Sequence, residues 1–189
     1  ISKADAEVKN HQWKREENRG TELSGKTIGL IAYGNTAKAF AHILKGFNVK
    51  ILGYDKYVHG FEHESSLETI FEQADVLSLH LPLTEETRNM IDYKFLSSFK
   101  PPIWHINTSR GKVLRTNDML RAMNEGKIIA GGLDVLENEK LNSLNEEEKK
   151  TYYQLIADKR ILLTPHIAGW THESKKKIAE ILLHKIKNV

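Results

Sequence analysis

Cysteine is absent from all 189 residues. Without thiols the chain makes no disulfide, thiolate zinc site, iron-sulfur cluster or cysteine nucleophile, so any catalysis uses other groups. Proline is scarce. Pro82, Pro101, Pro102 and Pro165 are the only four, and each sits where a short apolar run begins or ends. Long hydrophobic runs are missing too: the stretches around Ile28 to Tyr33 and Val76 to Leu83 fall far short of the roughly 18 residues a membrane span needs, and no signal-peptide pattern precedes them. Charge of one sign is also lacking, because 28 basic and 25 acidic side chains leave only +3, spread through the chain. That is too weak for a nucleic-acid footprint. These absences predict a soluble, cytoplasmic protein with no nucleic-acid and no membrane partner. The first residue is Ile1 rather than methionine, which is expected of a piece of a longer polypeptide.

What is present is a regular alternation. The length predicts one domain or slightly more. Short, nearly continuous apolar runs recur at Thr27 to Ala32, Val49 to Tyr54, Asp75 to Leu79, Ile103 to Asn107, Ile128 to Leu133 and Ile161 to Leu163, as expected of strands covered on both faces. Helical patterns lie between them. Asn35 to Lys45 places Ala37, Phe40, Ala41 and Leu44 on one face and is expected to stop at Gly46. Ser66 to Gln73 and Thr116 to Asn124 repeat the pattern, the second with Thr116 as N-cap and Gly126 past its end. Strand alternating with helix predicts an α/β fold with a doubly wound, mostly parallel sheet. Two segments stand outside the alternation. Ile1 to Arg19 reads as a polar helix leading into a Gly20 and Gly25 linker, and Asn142 to Arg160 as a solvated helix rich in charge.

Such a sheet binds ligands at the carboxyl ends of its strands. The turn after the first strand aligns Ala32, Gly34 and Ala37 with the three small positions of the dinucleotide fingerprint GxGxxG. Gly34 is the position that lets backbone approach a pyrophosphate at a helix N-terminus. Alanine at the first position is harmless only if its φ stays negative; otherwise it costs roughly 1 to 2 kcal/mol. Asp55 ends the second strand, 21 residues after Gly34. There a carboxylate accepts the adenosine ribose hydroxyls and repels a 2′-phosphate, which favours NAD over NADP, unless it is simply a solvated turn residue.

The other strand ends carry Arg110, the acidic group Asp134, Glu137 and Glu139, and His166. In a parallel sheet these tips converge. Arginine grips a carboxylate with a planar fork, histidine moves a hydroxyl proton near neutral pH, and a glutamate partner orients the ring and favours its charged form. That set suits hydride transfer between a 2-hydroxy acid and its 2-keto acid.

In combination, Leu23 to Gly29, Asp75 to Thr87 with His80-Leu81-Pro82-Leu83-Thr84, Ile106 to Gly111, Gly131 to Val135 and Thr164 to Gly169 resemble the NAD-binding domain of the D-isomer-specific 2-hydroxyacid dehydrogenases. The resemblance implies a Rossmann domain over 23–170, a connector over 1–22 and a helix over 171–189 that crosses toward a substrate domain lying largely outside this chain. It implies Arg110 as substrate-carboxylate binder, His166 as acid/base, and Glu139 as its partner in preference to Glu137. Lys140 departs from the proline common in the family. Asn35 and Thr36 would meet the pyrophosphate, Asp134 the nicotinamide side, and Pro82, Thr87, Thr108 and Gly169 the rest of the cofactor pocket. The implied protein is an NAD-dependent homodimer acting on a small 2-hydroxy or 2-keto acid, with 3-phosphoglycerate as the substrate expected first. The chain by itself is expected to bind NAD without turnover. A non-catalytic NAD-responsive protein resembling corepressors of this fold is the competing expectation. A third is a plain doubly wound domain for another nucleotide.

Overall fold

Side-chain alternation along the strands decides which layer each residue joins, and here both layers are apolar. The computed structural model describes residues 2–187. Expectations that reach Ile1, Asn188 and Val189 lie outside the described residues. Six strands, β1 (Thr27–Ile31), β2 (Lys50–Tyr54), β3 (Val76–Leu79), β4 (Ile103–Asn107), β5 (Ile128–Leu133) and β6 (Ile161–Leu163), form one parallel sheet in the order β2-β1-β3-β4-β5-β6. The helices are α1 (Ser2–Lys9), α2 (Asn35–Leu44), α3 (Leu67–Gln73), α4 (Tyr93–Ser97), α5 (Thr116–Asn124), α6 (Glu146–Ala157) and α7 (His172–Lys187). The order reverses at β1, so the crevice between the ends of β1 and β3 is the natural ligand position.

Ile28 and Leu30 of β1 pack with Ala37, Ala41 and Leu44 of α2 on one face. Ile31, Leu77, Leu79 and Ile103 pack with Ile70, Phe95, Met119 and Leu120 on the other. There Phe71 meets Phe95 and Phe99 edge-on, at centroid distances of 5.1 and 5.0 Å. Each such pair adds about 0.5–1.5 kcal/mol beyond its buried area.

Several local expectations change. The N-terminal helix ends at Lys9 rather than Arg19, because His11 turns to a φ of 60° and a separate 3-10 turn covers Glu16–Asn18. α2 runs into a 3-10 turn and is stopped by Asn48 in the left-handed region, not by Gly46. Thr116 is the first helical residue of α5 rather than its cap; the Arg115 side chain does not cap either. The short helix α4, capped by Asp92 onto the Phe95 amide at 2.8 Å, had no apolar period long enough to announce it. The charged segment near the C-terminus forms α6 as expected, closed by a capping box between Asn145 and Glu148.

His105 sits on β4 and is fully buried, with neither ring nitrogen hydrogen-bonded. Burial pushes its pKa down to about 4, and burial does the same to His80, which touches the Ser78 hydroxyl at 3.2 Å. Both histidines stay neutral in the fold and protonate in the unfolded chain near pH 6.5. Stability therefore falls as pH drops from 6.5 toward 4, because the unfolded state binds more protons there. His105 alone accounts for on the order of 2 kcal/mol at pH 5. His105→Leu is expected to narrow the loss of Tm between pH 7 and pH 5, measured by thermal unfolding. An unchanged loss would show that His105 is not the titrating group.

Candidate active site

The loops after β4, β5 and β6 leave the sheet side by side, since these strands are neighbours. Asn107 folds the first loop: its side-chain oxygen accepts the amide and hydroxyl of Ser109, at 3.0 and 2.8 Å, and its nitrogen donates to the Arg110 carbonyl at 3.1 Å. Arg110 is exposed, donates to the Ser109 carbonyl at 2.7 Å, and has no ion pair among the described residues. The next residue must be glycine. A Cβ on Gly111 would lie 1.8 Å from the Leu136 carbonyl oxygen, so two backbones touch where the first loop meets the second.

That second loop separates the two candidate glutamates. Glu137 accepts the Thr116 amide at 2.6 Å and so supplies the cap that α5 lacks in its own sequence. Glu139 instead reaches His166, whose Nδ1 lies 3.2 Å from its carboxylate. Between them Asn138 donates to Glu148 and accepts the Lys140 amide, both at 3.0 Å, which ties the loop to the start of α6. A cavity of about 230 Å³ lies behind this loop, lined by Thr116, Glu137, Asn138 and Glu148 among others; neither Arg110 nor His166 reaches it.

His166 occupies the left-handed region at a φ of 56°, an uncommon backbone for a residue other than glycine. Asp134 holds it there. The carboxylate accepts the Thr164 hydroxyl at 2.5 Å and the amides of Ile167 and Ala168 at 2.9 and 2.8 Å, while the Asp134 carbonyl accepts the His166 amide at 2.8 Å. Burial raises the pKa of Asp134, but the Thr164 hydroxyl and the two amides, with His166 nearby, outweigh it and leave it lowered. Both oxygens accept hydrogen bonds within the loop and the residue is only 4% exposed, so Asp134 holds the turn that carries the histidine.

At the crevice end, α2 starts at Gly34 without a capping side chain. A Cβ on Gly34 would meet nothing within 4 Å. Gly34, Asn35 and Thr36 are all exposed, which leaves the helix N-terminus open to an anion. Ala32 has a φ of 68°, so its methyl carries the strain expected of a tight turn. Asp55 accepts the amides of Tyr33, Tyr57 and Val58 at 2.7, 2.9 and 3.0 Å. It is neither purely solvated nor free: burial raises its pKa, and the three amides bring it below the usual value. Thr87 turns its hydroxyl into its own loop, onto the Pro82 carbonyl at 2.6 Å, so it shapes the pocket rather than facing it. Thr108 is exposed at the tip of β4, and a Cβ on Gly169 would meet nothing within 4 Å. Asn107 and Asn138 were not picked out from the sequence; their only signal was polarity beside a strand end. No cluster of potential metal ligands occurs among the described residues.

An open helix N-terminus at a strand-order reversal, beside an acidic residue ending β2, defines a dinucleotide-binding α/β domain. Residues 1–168 match the model for the D-isomer specific 2-hydroxyacid dehydrogenase, NAD binding domain, and the chain belongs to that family. It is similar to a glyoxylate reductase of Thermococcus litoralis, 38% identical over 195 residues, covering 96% of this chain and 56% of that protein. It is also similar to a hydroxypyruvate reductase of Thermotoga maritima, 32% identical, covering 98% of this chain and 60% of that protein. The crystal structure of D-lactate dehydrogenase from Aquifex aeolicus, complexed with NAD and lactic acid, superposes with a TM-score of 0.85 at 30% identity, over 98% of this chain and 60% of that one. The chain therefore spans a little over half the length of these relatives. Its cofactor is NAD, and the open space at Gly34 and the carboxylate of Asp55 fit that group.

Two outcomes follow for the loops. Ala32→Gly relieves ~1–2 kcal/mol of strain but adds ~0.4–1 kcal/mol of unfolded-chain entropy, so a net gain of about 0.5–1 kcal/mol is expected in urea unfolding. Asp134→Asn removes an acceptor facing three donors and is expected to cost about 1–3 kcal/mol. Amide exchange at Ile167 and Ala168 should accelerate at the same time; unchanged exchange would show that the carboxylate does not hold the loop.

Proposed function

We propose that the protein carrying this chain transfers a hydride between NAD(H) and a small D-2-hydroxy acid and its 2-keto acid. The 3.2 Å contact between His166 Nδ1 and Glu139 is the observation that carries this reading. With Nδ1–H donated to the carboxylate, the lone pair at Nε2 faces outward and takes the hydroxyl proton during oxidation, or returns it during reduction. Glu139 fixes that tautomer and offsets the positive charge the ring acquires. Arg110, exposed and without an ion pair among the described residues, binds the substrate carboxylate through its planar fork and draws electron density from the adjacent carbonyl. Bound NAD supplies the nicotinamide ring that exchanges the hydride.

The names of the relatives favour glyoxylate and hydroxypyruvate as substrates, with pyruvate next. Nothing in these residues singles out 3-phosphoglycerate, since the side chains that would grip its phosphate belong to the part of the family protein outside this chain. Homodimer formation through α1 and the exposed Trp13 belongs to the same proposal.

The 189 residues alone are expected to bind NADH without measurable keto-acid reduction. In the full-length polypeptide, His166→Ala should lower kcat by about 10²–10⁴ while the NADH dissociation constant stays nearly constant. A panel of glyoxylate, hydroxypyruvate, pyruvate and 3-phosphohydroxypyruvate identifies the substrate. NADH binding with no turnover on any of them would favour the non-catalytic, NAD-responsive reading instead.

A further inference from the structure

The two loops flanking the cofactor turn are joined by side chains. β2 and β3 lie on either side of β1, so a bridge between the loops that follow them spans the carboxyl end of β1. Such a bridge exists. Glu86, in the loop after β3, receives the Lys56 ammonium on one carboxylate oxygen and the Tyr57 hydroxyl on the other. The Lys56 nitrogen also lies 5.5 Å from the centre of the Tyr57 ring. Both ends of the bridge are anchored. Asp55 accepts the backbone amides of Tyr57 and Val58, and the Glu86 loop is closed by Thr87, whose hydroxyl reaches the Pro82 carbonyl and meets the Thr84 amide at 2.8 Å.

The charges on the bridge bear on which dinucleotide enters. Lys56 directly follows Asp55, and alone it would offset that carboxylate and attract a phosphate on the ribose 2′-oxygen. With Glu86 holding its ammonium, the cluster carries two carboxylates and one ammonium, which repels a further anion. We propose that Glu86, acting on Lys56, is the residue that makes this site reject a 2′-phosphorylated dinucleotide, with Tyr57 completing the strap over the adenosine slot. The inference rests on the NAD reading of the crevice and adds a specificity determinant to it. The pKa directions agree with the geometry: the contact with Glu86 raises those of Lys56 and Tyr57, and the contact with Lys56 lowers that of Glu86.

The test is fluorescence titration of the 189-residue chain with NADH and with NADPH, for the wild type, Glu86→Gln, and Glu86→Gln combined with Lys56→Ala. Both substituted residues are exposed, so the variants should fold, which circular dichroism checks. Wild type is expected to prefer NADH. Glu86→Gln should shift the ratio of dissociation constants toward NADPH by about tenfold, the scale of one relieved like-charge contact, and removing Lys56 should cancel that gain. An unchanged ratio in Glu86→Gln, or a gain that survives without Lys56, would overturn this inference and leave the cofactor site standing. Wild-type chain that binds neither dinucleotide would overturn the site itself, and the inference with it.

Discussion

The buried carboxylate of Asp134 is the interaction on which the catalytic end depends. A charged group placed just after β5, 4% exposed, is costly unless its lone pairs find donors. Here the loop after β6 supplies a hydroxyl and two amides, and in doing so it is forced around His166 into a left-handed turn. The desolvation of one residue thus dictates the backbone of another 32 positions later. The imidazole is delivered to Glu139 by a turn it could not hold by itself.

A second constraint brings the substrate-binding arm alongside. Gly111 touches the Leu136 carbonyl, which presses the Arg110 loop against the chain leading to the glutamates. From there three consecutive side chains divide the labour by direction. Glu137 turns toward the bare end of α5, Asn138 toward Glu148 on α6, and Glu139 outward to the histidine. Two structural anchors therefore hold one chemical group in place, and neither anchor is interchangeable with the group it supports.

Much of this was legible because strands in a parallel sheet read as unbroken apolar runs, and all six runs became strands with shifts of one residue at most, although the edge strand β6 leaves Leu162 exposed rather than covered on both faces. That the loops carrying Arg110, the glutamates and His166 leave neighbouring strands was legible from parallel topology, and the contact of His166 with Glu139 lies between two of those loops. What was not legible depended on partners distant in sequence. No local signal distinguishes Glu137 from Glu139, because the division is made by an uncapped amide 21 residues upstream; the family resemblance alone favoured Glu139, and it is Glu139 that lies beside His166. The α2 terminator was missed for a related reason: Gly46 and Asn48 both suit a left-handed stop, and continuation into a 3-10 turn selected the second. The hydrogen bonds that Asp134 and Thr87 make within their own loops were likewise invisible in the local sequence.

The two ends of the crevice use the same device. At each, a non-glycine residue, Ala32 or His166, has a φ near 60°, and an aspartate at the end of a neighbouring strand accepts three hydrogen bonds from the surrounding turns. Each carboxylate titrates below its usual value although burial works against it. The stabilisation each supplies is accordingly complete above the unfolded-state carboxylate pKa and is lost as pH falls through the lower folded-state value. Strain at the cofactor turn and strain at the histidine turn are thus secured by ionised aspartates, one just after β2 and one just after β5. Acid that protonates them releases both turns, while the sheet between them, held by apolar packing, feels acid through the neutral histidines of its core.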